Sequence, residues 1–243
     1  MATSAWVDQG RYYVGSDGKW DQSRKLTIDQ FLGITRYDLV NWLSKHEHDS
    51  YYLGTPMAYE NSSEKYGWNP TGCCRPLGRY RGNDPGMNCT GFVAEVFLSS
   101  GVSTARMNEM ISIAHSLGGW RYGSYVNGSA WLDFVIQSGY IKYYHFNDVS
   151  DMLASGLMRK GDIIFFQPYS SVWAAGKDKY GNKADCHLGI FWGNTSSTNR
   201  FWHQGWIAAN GFWVRGTTRA ITNQITSIAK PCESSIYVFP LSD

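Results

Sequence analysis

Asn88-Cys89-Thr90-Gly91-Phe92-Val93-Ala94-Glu95-Val96-Phe97-Leu98-Ser99 is the stretch on which the reading of this chain turns. Phe92, Val93, Val96 and Phe97 recur at three-to-four spacing, which predicts a helix with Asn88 able to cap its start and Gly101 to end it. The helix therefore opens on a cysteine that follows a long loop. Unpaired N–H groups at a helix start favour negative charge, so a thiol there is expected to ionise more readily. Gly91 leaves space beside the sulfur for another backbone to approach. A cysteine in a helix is by itself more often an inert core residue, so the reading needs a second feature.

That feature lies a hundred residues downstream. Ala184-Asp185-Cys186-His187-Leu188-Gly189-Ile190-Phe191-Trp192-Gly193-Asn194 reads as a strand that begins at a histidine and ends in a Gly-Asn turn. The returning strand, Arg200-Phe201-Trp202-His203, carries a second imidazole, and a hairpin of this length brings His187 and His203 onto one face. An imidazole beside a thiol serves as its base, and a third polar group on the other ring nitrogen sets its tautomer. Cys89, His187 and His203 suit these three roles.

Helices precede strands along the chain. Apolar stripes predict helices near Thr35–His46, Ser103–Leu117 and Ser129–Gln137, and a short one near Asp148–Ala154. Strands are expected at Tyr140–His145, Ile163–Gln167, Leu188–Trp192, Arg200–His203, Gly211–Val214 and Ser235–Phe239. This order implies an α+β protein with N-terminal helices packed on a mostly antiparallel sheet of five to six strands. Tyr52 to Met87, rich in Gly, Pro, Asn and Tyr, reads as one long loop. Asp162, in the Lys160-Gly161-Asp162 turn, reads as a structural residue. Residues 1–33 form a separate appendage: Gly10 to Trp20 is an aromatic strand, a Ser16-Asp17-Gly18 turn and a return, resembling one bacterial cell-wall-binding repeat. The main domain spans 34–243.

Composition bounds the class. Of the 243 residues, 43% are hydrophobic and 17% charged, which argues for a folded protein. A net charge of +2 with no basic block gives no pull on nucleic acid, and no apolar run reaches membrane-spanning length. Aromatic residues make up 16%, a share that suits either a filled core or a surface that stacks sugar rings. Five cysteines, Cys73, Cys74, Cys89, Cys186 and Cys232, leave one thiol over if the rest pair, as expected in an oxidising exterior. Cys73 and Cys74 are adjacent, not spaced as in a zinc knuckle, and no metal or other cofactor is expected. Export is inferred from these cysteines, since no basic-then-apolar leader opens the sequence.

The same segments resemble the NlpC/P60 cysteine peptidases. Asn88-Cys89-Thr90-Gly91-Phe92 is similar to that family's Asp-Cys-Ser-Gly-Phe nucleophile motif, and Met158-Arg159-Lys160-Gly161-Asp162-Ile163-Ile164-Phe165-Phe166 to its Pro-Gly-Asp-Leu-Val-Phe-Phe strand entry. His187-Leu188-Gly189-Ile190-Phe191-Trp192-Gly193-Asn194 resembles its His-Val-Gly-Ile-Tyr-x-Gly-Asn base motif, and Phe201-Trp202-His203 the strand of its third residue. The resemblance covers roughly Tyr52 to the C-terminus. It implies a papain-like fold and hydrolysis of amide bonds in peptidoglycan stem peptides, often between D-glutamate and a diamino acid. It also implies a secreted enzyme whose partner is the cell wall. The family's Pro-Tyr-x-Trp is absent: Pro56 is followed by Met57, and Tyr59 or Tyr52 would take the part of the tyrosine at the oxyanion side. Cys186, next to His187, is expected to point away from the site, and Cys73 or Cys74 to pair with Cys186 or Cys232, pinning the long loop. Two alternatives stand: an amidase or cross-bridge peptidase of the CHAP type with the same nucleophile and base, and a non-catalytic module that holds wall glycan.

Overall fold

A computed structural model describes residues 4–7, 12–19, 21, 24–45, 50–51, 89–117, 125, 128–147, 149–168, 187–193, 200–202, 214–215, 218–220 and 234–243. Among the described residues there are six helices: α1 (Ile28–Leu32), α2 (Arg36–Lys45), α3 (Cys89–Ser99), α4 (Thr104–Ser116), α5 (Gly128–Gln137) and α6 (Val149–Ala154). Thr35 and Asp38 cap α2 reciprocally, each side chain accepting the other's backbone N–H. Ser103 caps α4 by accepting the N–H of Arg106. Five of these helices match the sequence reading to within a residue or two. α1 escaped it, because five residues hold barely more than one turn of periodicity.

Among the described residues six strands make one antiparallel sheet in the order β4-β10-β5-β6-β7-β9. They are β4 (Tyr144–Phe146), β5 (Ile163–Pro168), β6 (His187–Phe191), β7 (Arg200–Trp202), β9 (Thr218–Ala220) and β10 (Ser234–Phe239). One face carries Ile163, Phe165, Leu188, Ile190, Trp202 and Phe239 into the main core beneath the helices. The other carries Ile164, Phe191, Ile236 and Val238 against Met152 and Met158. The alternation follows from the two-residue period of a strand.

Some edges differ from expectation. The strand expected at Tyr140–His145 is split: Ile141 bridges to Leu26, and β4 begins only at Tyr144. The strand expected at Gly211–Val214 appears as β8 (Val214–Arg215), which pairs with β3 (Ser50–Tyr51) in a separate ribbon, while β9 takes the sheet edge. These pieces are two or three residues long, too short for an alternating pattern to show in sequence.

At the N-terminus β2 (Tyr12–Val14) pairs with β1 (Ala5–Val7), upstream of it, so the hairpin is not the one expected over Gly10–Trp20, whose return strand does not form among the described residues. The expected turn at Ser16-Asp17-Gly18 also forms, Gly18 taking φ +76°, and Asp21 N–H returns to the Tyr13 carbonyl. Tyr12 meets Tyr140 edge-on at 5.6 Å, and Ile28 and Phe31 of α1 are fully buried in the main core, so Tyr12 and α1 pack onto the body that follows.

One buried network ties the chain together. Arg36 on α2 donates to Asp162 Oδ1 at 2.8 Å and to the carbonyls of Lys160, Leu241 and Ser242. Asp162 also accepts the N–H groups of Arg159 and Leu241, while Asp29 on α1 accepts the Ser242 N–H and hydroxyl. Asp162 thus serves structure, as the sequence implied. Its own backbone pairs with Phe191 at the end of β6. Gly161 beside it takes φ +102°, and a Cβ there would meet Val40 at 3.0 Å, so only glycine fits.

Candidate active site

Cys89 is the first residue of α3 and is half-buried as a residue, with its sulfur turned into the protein. Residues Thr90 to Phe97 behind it are all buried, so the helix is a fixed mount. Phe92, one turn on from Cys89, stacks on Trp202 of β7 at 6.3 Å, and Trp202 in turn meets Trp192 edge-on at 5.3 Å. α3 lies against β6. The backbone N–H of Leu188, the second residue of β6, reaches the Cys89 sulfur, and the Thr90 hydroxyl lies 3.8 Å from it. The thiol therefore sits at the very start of the strand that opens with His187.

Burial pushes the Cys89 thiol above its ordinary value, and the N–H groups of Leu188, Thr90 and Cys89 itself only partly offset this. The expectation that the helix start would lower it is corrected here: loss of water around the sulfur outweighs the amide dipoles. A thiol in this setting is protonated at neutral pH unless a cation forms beside it. Thr90 and the Leu188 amide were not singled out as sulfur partners from sequence. The first occupies the motif position of a hydroxyl residue and was legible there; the second is a backbone group and left no signal.

His187 heads β6 and pairs in register with Phe166. β7 ends at Trp202, directly before His203, and Trp202 pairs with Ile190. His203, Tyr52, Tyr59, Cys73, Cys74, Cys186 and Cys232 lie outside the described residues, as does any disulfide among them. Among the described residues no group of three or more His, Cys, Asp or Glu could hold a metal ion, and no helix is long and apolar enough to cross a membrane.

α3 also carries a buried acid. Glu95 is 8% exposed, and the Ser99 hydroxyl donates to its Oε1 at 2.7 Å. Burial raises its pKa above the ordinary 4.5. A raised carboxyl leaves stability intact below the unfolded pKa and costs stability as pH rises through the folded value. Glu95→Gln is accordingly expected to stabilise the protein at pH 7 and to make no difference near pH 4, as read by urea unfolding at the two pH values.

A second concave feature is the N-terminal hairpin, where an open pocket of about 480 Å³ is lined in part by Tyr13, Asp17, Lys19, Asp21 and Arg24. The Arg24 guanidinium lies 4.1 Å over the Tyr13 ring.

Comparison with solved structures bears on the fold. The chain is similar to a cellulosome-related module from Ruminococcus flavefaciens, described as uncommon and as resembling papain-like cysteine peptidases. The two share 19% identity with a TM-score of 0.51, over 91% of this chain and 97% of that one. The fold is papain-like. Residues 1–20 match the choline-binding repeat. No curated protein matches this sequence.

Proposed function

We propose that the chain is a secreted cysteine hydrolase of the NlpC/P60 type that cuts amide bonds in peptidoglycan stem peptides, between D-glutamate and a diamino acid. The observation that carries this reading is the contact of the Cys89 sulfur with the backbone of Leu188, the residue next to His187, in a papain-like fold. Cys89 thiolate attacks the scissile carbonyl, His187 protonates the leaving amine, and water then clears the thioester with His187 as base. His203 orients His187. The N–H of Cys89 donates to the oxyanion, with Tyr59 or Tyr52 assisting.

The choline-binding repeat over residues 1–20 supports a wall address. In this reading residues 1–33 anchor the enzyme to the wall and residues 34–243 catalyse. The same match favours a second reading, a binding module without activity. Digestion of purified peptidoglycan, with released fragments identified by mass, separates the possibilities. Free D-glutamyl and diamino-acid ends support the endopeptidase, fragments cut at the sugar–peptide amide support the CHAP-type amidase, and no fragments at all leave the binding module.

The raised thiol yields a pH prediction. In His187→Ala the alkylation of Cys89 by iodoacetamide, followed by peptide mapping, is expected to rise only at or above the ordinary cysteine value of 9.0. The unmodified protein is expected to show an added limb at lower pH, where imidazolium holds the thiolate. Coincident profiles would remove His187 from the site.

A further inference from the structure

The register of the sheet lines up a row of side chains leading away from the thiol. Leu188 on β6 pairs with Phe165 on β5, Phe165 with Tyr237 on β10, and Tyr237 with His145 on β4. Partners across an antiparallel ladder share a face, and the rings confirm it: Phe165 to Tyr237 is 6.3 Å and Tyr237 to His145 is 4.7 Å between centroids. Leu188 and Phe165 are buried, Tyr237 is half-buried and His145 is exposed, so the row is closed near Cys89 and opens at the edge strand. There Tyr143 joins it, half-buried and 6.1 Å from Tyr237. Three strand spacings separate His145 from Leu188, about 14 Å, and the buried side chains of Phe165 and Leu188 fill the row between the edge and the thiol.

The edge is also basic. Exposed Lys25 stands 6.0 Å over the Tyr143 ring, and Lys142 stands 5.3 Å over Tyr144 on the other face. Leu26 pairs with Tyr140 and Lys142 on both sides of Ile141, which holds Lys25 at the strip. Arg24, its neighbour, covers Tyr13 of the hairpin, so consecutive cations join hairpin and sheet edge.

We propose that Tyr143, His145 and Tyr237, with Lys25, form a glycan subsite that takes the amino-sugar strand of the substrate. Pyranose rings present C–H faces that pack on aromatic rings, and Lys25 answers the carboxylates carried by the stem peptides. The assignment of the occupant rests on the wall-hydrolase reading; the aromatic strip itself does not.

The test uses the Cys89→Ala full chain, so that binding is read without turnover, and chitohexaose as the probe. Titration calorimetry is expected to show binding that weakens by about tenfold in Tyr143→Ala/His145→Ala, stays unchanged in Tyr37→Ala, an exposed tyrosine on α2, and tightens in His145→Trp. On an otherwise unmodified enzyme, Tyr143→Ala/His145→Ala is expected to raise KM for whole peptidoglycan while leaving turnover of a soluble stem tetrapeptide intact. No binding of chitohexaose, or equal binding by all variants, overturns the subsite whether or not the enzyme cuts the wall. Dimerisation in sedimentation that the double variant abolishes would assign the strip to a second copy and overturn it too. Binding that depends on these residues in a protein that cuts no peptide sinks the hydrolase reading and leaves the subsite standing.

Discussion

Cys89→Ala is expected to leave purified peptidoglycan uncut, with fragment release down by about four to six orders of magnitude, because removing a covalent nucleophile leaves only binding and oxyanion contributions. The structure sharpens why. Burial holds the Cys89 thiol above its ordinary pKa, so thiolate at neutral pH has to be drawn out by proton transfer to a base, and His187 opens the strand whose next residue touches the sulfur. His187→Ala is therefore expected to be nearly as damaging as Cys89→Ala, and the double variant no worse than either, since residues that act as a unit do not add. Mass analysis of fragments over a time course reads all three. Activity in Cys89→Ala near the unmodified level would dismiss the thiol as nucleophile. Additive losses would separate Cys89 from His187.

Arg36→Met is expected to cost about 3–5 kcal/mol of stability, the range found when one partner of a buried ion pair is removed. The Arg36 side chain is 16% exposed and that of Asp162 1%. Burial pushes the Asp162 carboxyl up, and the Arg36 guanidinium at 2.8 Å is the chief influence holding it down. Without Arg36 the carboxylate keeps only backbone N–H partners, and the carbonyls of Lys160, Leu241 and Ser242 lose their donor. A loss of that size lowers Tm by roughly 10 °C in a chain of this length. The effect depends on pH, with the sign of a raised carboxyl: the Arg36→Met deficit is smallest at low pH, where Asp162 is neutral in both states, and grows as pH rises through its folded value. Calorimetric Tm at pH 4 and pH 7 checks both statements. A deficit equal at the two pH values would show that the lost backbone contacts matter and the charge does not.

Long helices and apolar strands were legible because each repeats its period several times. α3, α4 and α5 and the strands β5, β6 and β10 lie where the pattern set them. So did the two candidates for chemistry, since a cysteine at a helix start and a histidine at a strand start are local features. The short elements were not legible. α1, β3, β8 and β9 are two to five residues each, and their pairing is a property of neighbours remote in sequence. Nor could the sign of the Cys89 pKa shift be read. The helix-start amides are local and visible in sequence, but desolvation depends on what packs over the sulfur.

The sequence by itself determined the order of elements, the main apolar faces, and which cysteine and histidine stand at the ends of their elements, because hydrophobic period and capping act over a few residues. Only the tertiary structure decided that Leu188 meets the Cys89 sulfur, that Arg36 reaches Asp162 and the C-terminal residues, and that Phe165, Tyr237 and His145 form one row. Each of these joins segments tens to hundreds of residues apart. Strand register and helix docking set such contacts, and both are chosen by burial of the whole core and not by any local stretch.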